Sequence, residues 1–242
     1  MASKPKYKRV LLKLSGEALG RGPGKGLDLS VVEPIAREIA SVNKDGVQLA
    51  VVIGGGNLVR GQELIEHGLT PALAHTMGMM ATVVNGLALH DLLKNMGVEN
   101  RLQTAIPMES VAERYIRERC IHQLEEGRVV ILAAGTGSPF FTTDTAAALR
   151  ARELGCDVLL KGTNVDGVYS RDPRKHAGAT RYKRMSYEDV LHNNLGIMDA
   201  TAVTLCRDGE IPIIVFNRAK KGNLRRVLFS KRSTVGTYIG RK

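Results

Sequence analysis

Five short apolar runs constrain the fold of this chain more than any other feature. They are RVLLKL at 9–14, QLAVVI at 48–53, RVVILAA at 128–134, DVLLKG at 157–162 and IPIIVF at 211–216. The runs are continuous rather than alternating, the pattern of strands buried on both faces of a parallel sheet. Longer helical patterns lie between them. In VVEPIAREIASVNKDG, Val32, Ile35, Ile39 and Val42 recur at helical spacing, and Gly46 follows as a stop. Residues 73–96 are apolar on most faces, which predicts a helix at the centre of the molecule or at a subunit contact. TAAALRARELG, 145–155, is a strong helix former that ends at Gly155. Strands alternating with helices predict an α/β fold, a three-layer αβα sandwich around a mostly parallel central sheet. The 242 residues fit one domain, 1–242, with approximate lobes at 1–150 and 151–242 that no shift in composition marks.

Charge narrows the ligand. The net charge is +11, which suits either nucleic acid or anionic small molecules. Aromatic residues are only 4% and Trp is absent, so there is little for unpaired bases to stack on, and no zinc-finger spacing occurs. Anionic small molecules are therefore favoured and nucleic acid is not expected. No continuous apolar run approaches the roughly 20 residues of a membrane span, and no apolar signal core follows the basic start. Cys120, Cys156 and Cys206 are far apart with no CxxC, as in a cytoplasmic protein with reduced thiols.

Ligands of open α/β sheets bind outside the carboxyl ends of the strands, and four loops stand there. In KLSGEAL, 13–19, Lys13 ends a strand, and Ser15 and Gly16 offer backbone amides to a phosphate. In AVVIGGGNLVRG, 50–61, three glycines precede a helical stretch with Arg60 on its first turn. That run fits an anion held by backbone amides and fits a tight turn equally well. AAGTGSPFFTTDTAA, 133–147, supplies several hydroxyls and Asp144, either a helix N-cap or a carboxylate orienting lysines or Mg²⁺. In LLKGTNVDGVYSRDP, 159–173, Lys161 closes a strand much as Lys13 does, and the polar segment after it suits a base and ribose or a surface hairpin. RGPGKG, 21–26, departs from a P-loop in its glycine spacing and has Gly26 where Ser or Thr would hold Mg²⁺. The GxGxxG dinucleotide fingerprint is absent.

KLSGEAL, VVIGGGNLVRG, MGMMATVVNGLAL, AGTGSPFFTTDTAA and LLKGTNVDGVY occur in this order, and together they resemble the bacterial uridylate (UMP) kinases of the amino acid kinase superfamily. The resemblance runs from about Tyr7 to about Gly236, and GTGSPFFTTD is its most specific element. It implies transfer of a phosphoryl group from ATP to UMP, with Mg²⁺ and without a covalent enzyme intermediate. By the same resemblance Lys13, Leu14, Ser15 and Gly16 contact ATP phosphates, as do Gly56 and Arg60. Gly55 and the loop Thr136, Gly137, Ser138, Pro139, Phe140, Phe141, Thr142 and Thr143 bind UMP. Thr163, Asn164, Tyr169 and Asp172 form the ATP base and ribose pocket, and Asp144 and Asp199 are carboxylates that activity needs. The lobe 1–150 is then the acceptor side and 151–242 the ATP side.

The resemblance further assigns Arg21, Gly22, Pro23, Gly24, Lys25 and Gly26 to allosteric activation by GTP. It implies inhibition by UTP, a homohexamer and a cytoplasmic enzyme. One position departs from the pattern: His75 stands where the family has an aspartate that meets the UMP ribose. In mechanistic terms Lys13, Arg60 and Mg²⁺ neutralise the phosphoryl oxygens, Lys161 supports the ATP phosphates, and Asp144 orients the cations, with no metal ligated directly by the protein. Two other readings are a kinase of the same superfamily acting on a carboxylate or carbamate, and a non-catalytic nucleotide sensor.

Overall fold

The computed structural model describes residues 4–22, 24–173, 175–176, 178–193, 195–230 and 235–241. The predicted strands form at β1 (Arg9–Leu14), β2 (Gln48–Ile53), β5 (Val129–Ala133), β6 (Val158–Thr163) and β8 (Ile213–Asn217). Four more join them: β3 (Asn100–Thr104), β4 (Glu113–Arg114), β7 (Arg184–Ser186) and β9 (Thr237–Gly240). The sheet order is β4-β3-β5-β2-β1-β6-β8-β9-β7, and every pair is parallel except β8 with β9. The strands from β3 through β8 therefore end on one edge, where their loops gather.

Helices cover both faces. α1 (Leu29–Lys44), α3 (Pro71–Asn95) and α8 (Asn223–Phe229) lie on one, with the short α2 (Gly61–Glu66) against α3. On the other are α4 (Arg117–Glu125), α5 (Thr143–Glu153), α6 (Tyr187–His192) and α7 (Ala200–Asp208). Alternation along β1 splits the two cores. Val10, Leu12 and Leu14 pack under α1, α3 and α8, while Leu11 joins the α4–α7 side and Lys13 points the same way. Buried Val32, Ala36, Ile39 and Val42 form the inner stripe of α1, whereas Ile35, part of the sequence pattern, is only half covered.

α3 behaves as predicted for a central helix, with Met79, Val83, Leu89 and Leu93 in the core. Its 25 residues are nonetheless long and apolar enough, by length and composition, to cross a membrane. The reading of continuous runs passed over it because His75, Thr76 and Asn85 interrupt the apolar residues. Leu73, Val84 and Leu87 on the same helix are exposed. Cys120, Cys156 and Cys206 are buried free thiols, and burial pushes Cys120 and Cys206 up to about 12.

Candidate active site

Three charged groups converge at the carboxyl ends of β1 and β6. Lys13 and Lys161 are register partners in the parallel ladder, so both side chains leave the sheet on one face. The first turn of α5 brings Asp144 between them. Lys13 Nζ lies 2.7 Å from Asp144 Oδ1, and Lys161 Nζ donates to Oδ2 at 2.6 Å. Lys161 also donates to the carbonyl of Ile197. Oδ1 is fully buried and receives no well-directed hydrogen bond, so its contact with Lys13 is Coulombic in character. Burial pushes the Asp144 carboxyl upward, but the fields of Lys13 and Lys161 outweigh it and hold the group below its ordinary value. Burial lowers the Lys161 ammonium, against the opposing pull of Asp144. Two cations and one anion leave a net positive, partly dry site for phosphate oxygens.

The two sequence readings of Asp144 are thereby separated. The N-cap of α5 is Thr142, whose hydroxyl accepts from the amides of Asp144 and Thr145 at 3.0 and 3.1 Å. The Asp144 side chain is left for the lysines. Asp199 does act as a cap, accepting from the Ala202 amide at 2.9 Å at the start of α7. It also takes the hydroxyls of Thr142 at 2.5 Å and Thr145 at 2.8 Å. Asp199 thus ties the start of α7 to the start of α5 and holds Asp144 in place from behind.

The structure divides the two readings of the glycine run between its residues. A Cβ on Gly54 would meet the Gly16 nitrogen at 2.6 Å. On Gly55 it would meet the Gly78 carbonyl oxygen of α3 at 2.7 Å and the Ala81 Cβ at 2.8 Å. Gly16 is equally closed, since a Cβ there would collide with the Gly56 nitrogen. Of these four glycines only Gly56 faces open space. Bareness at Gly54 and Gly55 is demanded by the protein's own atoms, as the tight-turn reading has it, and Gly56 alone of the three keeps the open space that the anion reading needs. Asn57, fully buried, then exchanges amide hydrogen bonds with Asn85 of α3 at 3.1 and 2.7 Å. Asn85 also donates to the Gly54 carbonyl at 2.8 Å. The segment Arg21, Gly22, Gly24, Lys25 and Gly26 is fastened to the same turn: Gly24 N donates to Gly56 O at 3.3 Å and Gly26 N to Asn57 O at 2.8 Å. Pro23 lies outside the described residues.

After β5 the chain turns through left-handed backbone at Ala134 (φ 61°), Gly135, Gly137 and Phe140 (φ 70°). A non-glycine residue there is strained, and Thr82 fixes the first of them by accepting from the Ala134 amide at 2.7 Å. Thr136 Oγ1 donates to the Ser138 carbonyl at 3.1 Å. Ser138, Phe140 and Phe141 are exposed, with Pro139 half-buried and Thr143 opening α5. His75, half-buried on α3, sets its ring 5.3 Å from that of Phe140, so the helix and loop meet.

Other candidates are not drawn into the charged cluster. Arg60 is the N-cap residue of α2 and pairs with Glu63 at 2.9 Å on the surface. Thr163 Oγ1 donates to Val165 O at 2.8 Å within its own loop. The exposed Asn164 accepts from Asn217 through its carbonyl at 3.2 Å, and Tyr169 bridges to Arg181. Asp172 is half-buried, and its carbonyl receives the amides of Lys175 and His176. Leu14 and Ser15 lead from β1 into a 3₁₀ turn at Gly16–Leu19. Among the described residues no group of three or more His, Cys, Asp or Glu is arranged to hold a metal ion. Both Asp144 oxygens face ammonium groups, so this donor set does not fit a resident divalent cation.

Residues 8–217 match the amino acid kinase family. This chain is an amino acid kinase family member. The chain is also similar over nearly its whole length to solved structures of named family enzymes. UMP kinase from Bacillus anthracis is 40% identical, with a TM-score of 0.92 over 97% of this chain and 96% of that one. UMP kinase from Ureaplasma parvum is 34% identical, with a TM-score of 0.90 over 98% and 100% of the two chains. Uridylate kinase from Archaeoglobus fulgidus is 28% identical, with a TM-score of 0.74 over 96% and 99%. In this family member, Thr82, Asn57, Asn85 and Thr145 hold the loops, and sequence reasoning passed over all four. A signal was present: Thr82 and Asn85 are polar residues three apart on one face of an otherwise apolar helix.

Proposed function

We propose that this chain is a UMP kinase, which transfers the γ-phosphoryl group of ATP to UMP and releases ADP and UDP. The observation that carries the reading is Asp144 held between Lys13 and Lys161 at the sheet edge, in a chain that aligns end to end with UMP kinases. Phosphoryl transfer asks mainly for positioning and charge stabilisation. Asp144 sets the spacing of the two ammonium groups, and each ammonium has further N–H donors for phosphate oxygens. Asp199 positions Asp144 through Thr142 and Thr145. Arg60, whose exposed pair with Glu63 is worth little, is free to turn to phosphate when nucleotides bind. Lys13, Leu14, Ser15, Gly16, Gly56 and Arg60 attend the ATP phosphates, and Thr163, Asn164, Tyr169 and Asp172 its base and ribose. UMP lies against Gly55, His75 and the loop Thr136–Thr143. No general base is needed, because a phosphate monoester with a second pKa near 6 is already a nucleophile at neutral pH. Mg²⁺ arrives with ATP as part of the substrate.

The same reading makes the protein a cytoplasmic enzyme of pyrimidine nucleotide synthesis and a homohexamer, activated by GTP through residues 21–26 and inhibited by UTP. The bonds from Gly24 and Gly26 to the glycine turn support a nucleotide-responsive segment. The exposed Leu73, Val84 and Leu87 support assembly through α3. A coupled assay of ADP release with ATP, Mg²⁺ and UMP, run beside CMP, glutamate, aspartate and carbamate, tests the function. Turnover with UMP is expected. Turnover confined to a carboxylate or carbamate, or none at all, would refute it.

A further inference from the structure

A cleft of about 680 Å³ opens between α1 and α8. It lies on the face of the sheet away from Lys13, Asp144 and Lys161. Leu12, Leu14 and Phe216 form its floor, and Ile35 and Leu224 its walls. Ile35 belongs to the apolar stripe of α1 yet remains partly uncovered where it lines the cleft. The space suits a ligand-sized apolar body.

Charge in the cleft is uneven. Arg37 is paired with Glu33, and Arg225 with Asp45. Glu38, the acid of the lining, is turned to the backbone amide of Gly222 at the start of α8. Arg218 is different. Its Nε is buried and has no hydrogen-bond partner, and burial holds its guanidinium below the ordinary value with no carboxylate acting on it. Arg218 as a whole is only half-buried, but a buried donor atom without an acceptor is costly, and an anion seated on the guanidinium relieves that cost. Arginine also suits the planar oxygens of a carboxylate or phosphate.

We propose that the α1–α8 cleft is a second ligand site, which takes an amphipathic anion: an apolar body in the cleft, ending in a carboxylate or phosphate paired with Arg218. The site is independent of the kinase reading and stands or falls apart from it. The test is a fluorescence titration of the full chain with anilinonaphthalene sulfonate, then displacement by decanoate, decyl phosphate and uncharged decanol. One saturable site is expected. The better of the two anions identifies the head group, and decanol should displace at least about tenfold less well, the worth of one charged hydrogen bond. Arg218→Gln should weaken the anions about tenfold and leave decanol unchanged. Ala219→Asp, at an exposed position of the lining, should weaken the anions without disturbing packing, and it decides the matter if Arg218→Gln lowers the melting temperature. Absence of saturable binding, equal displacement by decanol, or unchanged anion affinity in the folded variants would overturn the proposal. So would displacement of the dye by MgATP, which would make the cleft part of the nucleotide site.

Discussion

Lys13 sits at the tip of a buried strand with its ammonium against Asp144, and it is 6% exposed. Preorganised donors of this kind typically contribute 10²–10³ in rate, so Lys13→Ala should lower kcat by roughly that factor while KM for UMP changes little. Steady-state kinetics with both substrates varied check it, and an unaltered kcat would remove Lys13 from the chemistry. The glycines give a paired prediction. Gly55→Ala drives a methyl into the α3 backbone and should cost about 1–3 kcal/mol, seen as a fall of several degrees in Tm. Gly56→Ala meets nothing within 4 Å in the free protein, so Tm should hold while nucleotide affinity falls. Equal Tm losses in both variants would contradict this division. The strand-end lysines were readable in the sequence because a charge that closes an apolar run has one edge of the sheet to go to. The separate duties of the glycines were not, since GGG does not say whether ligand or protein fills the space beside it.

At the scale of elements, the Asn57–Asn85 amide pair joins α3 to the glycine turn and, through Asn57, to residues 24–26. Asn85→Ala leaves the buried Asn57 side chain and the Gly54 carbonyl short of partners, a loss of about 1–3 kcal/mol. The amides of Gly24 and Gly26 should then exchange faster with solvent than in the parent protein, ahead of the rest of the molecule. Exchange that accelerates uniformly would mean simple global destabilisation. The central strands were legible because burial on both faces writes a continuous apolar run. The edge elements were not. β3 reads NRLQT because Asn100 bonds back to α3 and Gln103 to Gln123 of α4, so apart from Leu102 its buried residues are polar. β7 and β9 are only three and four residues long, too short for any period to show. The loops were legible by composition, but Arg60 was not placed by it, because a flexible side chain takes the nearest carboxylate, Glu63.

For the whole molecule, Asp144 links charge to stability. Its carboxyl is held below the unfolded value, so its contribution is fully present above about pH 4 and is lost as pH falls through the folded value. Urea unfolding from pH 6 downward should show that acid loss. Asp144→Asn should be less stable at neutral pH and show a shallower acid slope, and parallel slopes would exclude Asp144 as a source. Leu73, Val84 and Leu87 leave an apolar strip on α3, and if the proposed homohexamer assembles through it, Leu87→Glu should give smaller species by sedimentation velocity. An unchanged sedimentation coefficient would point to another contact. The strand order carries one more consequence, for synthesis. β1 is made first yet lies in the middle of the sheet, between β2 and β6. During translation its β6 side stays an unpaired edge until residues 158–163 emerge, and such edges invite pairing with other chains. Lys13, buried only when Asp144 and Lys161 arrive, places a charge on that edge meanwhile. A charged side chain at an unpaired strand edge disfavours such pairing, so the lysine that meets Asp144 in the finished protein also suits β1 to its exposed interval.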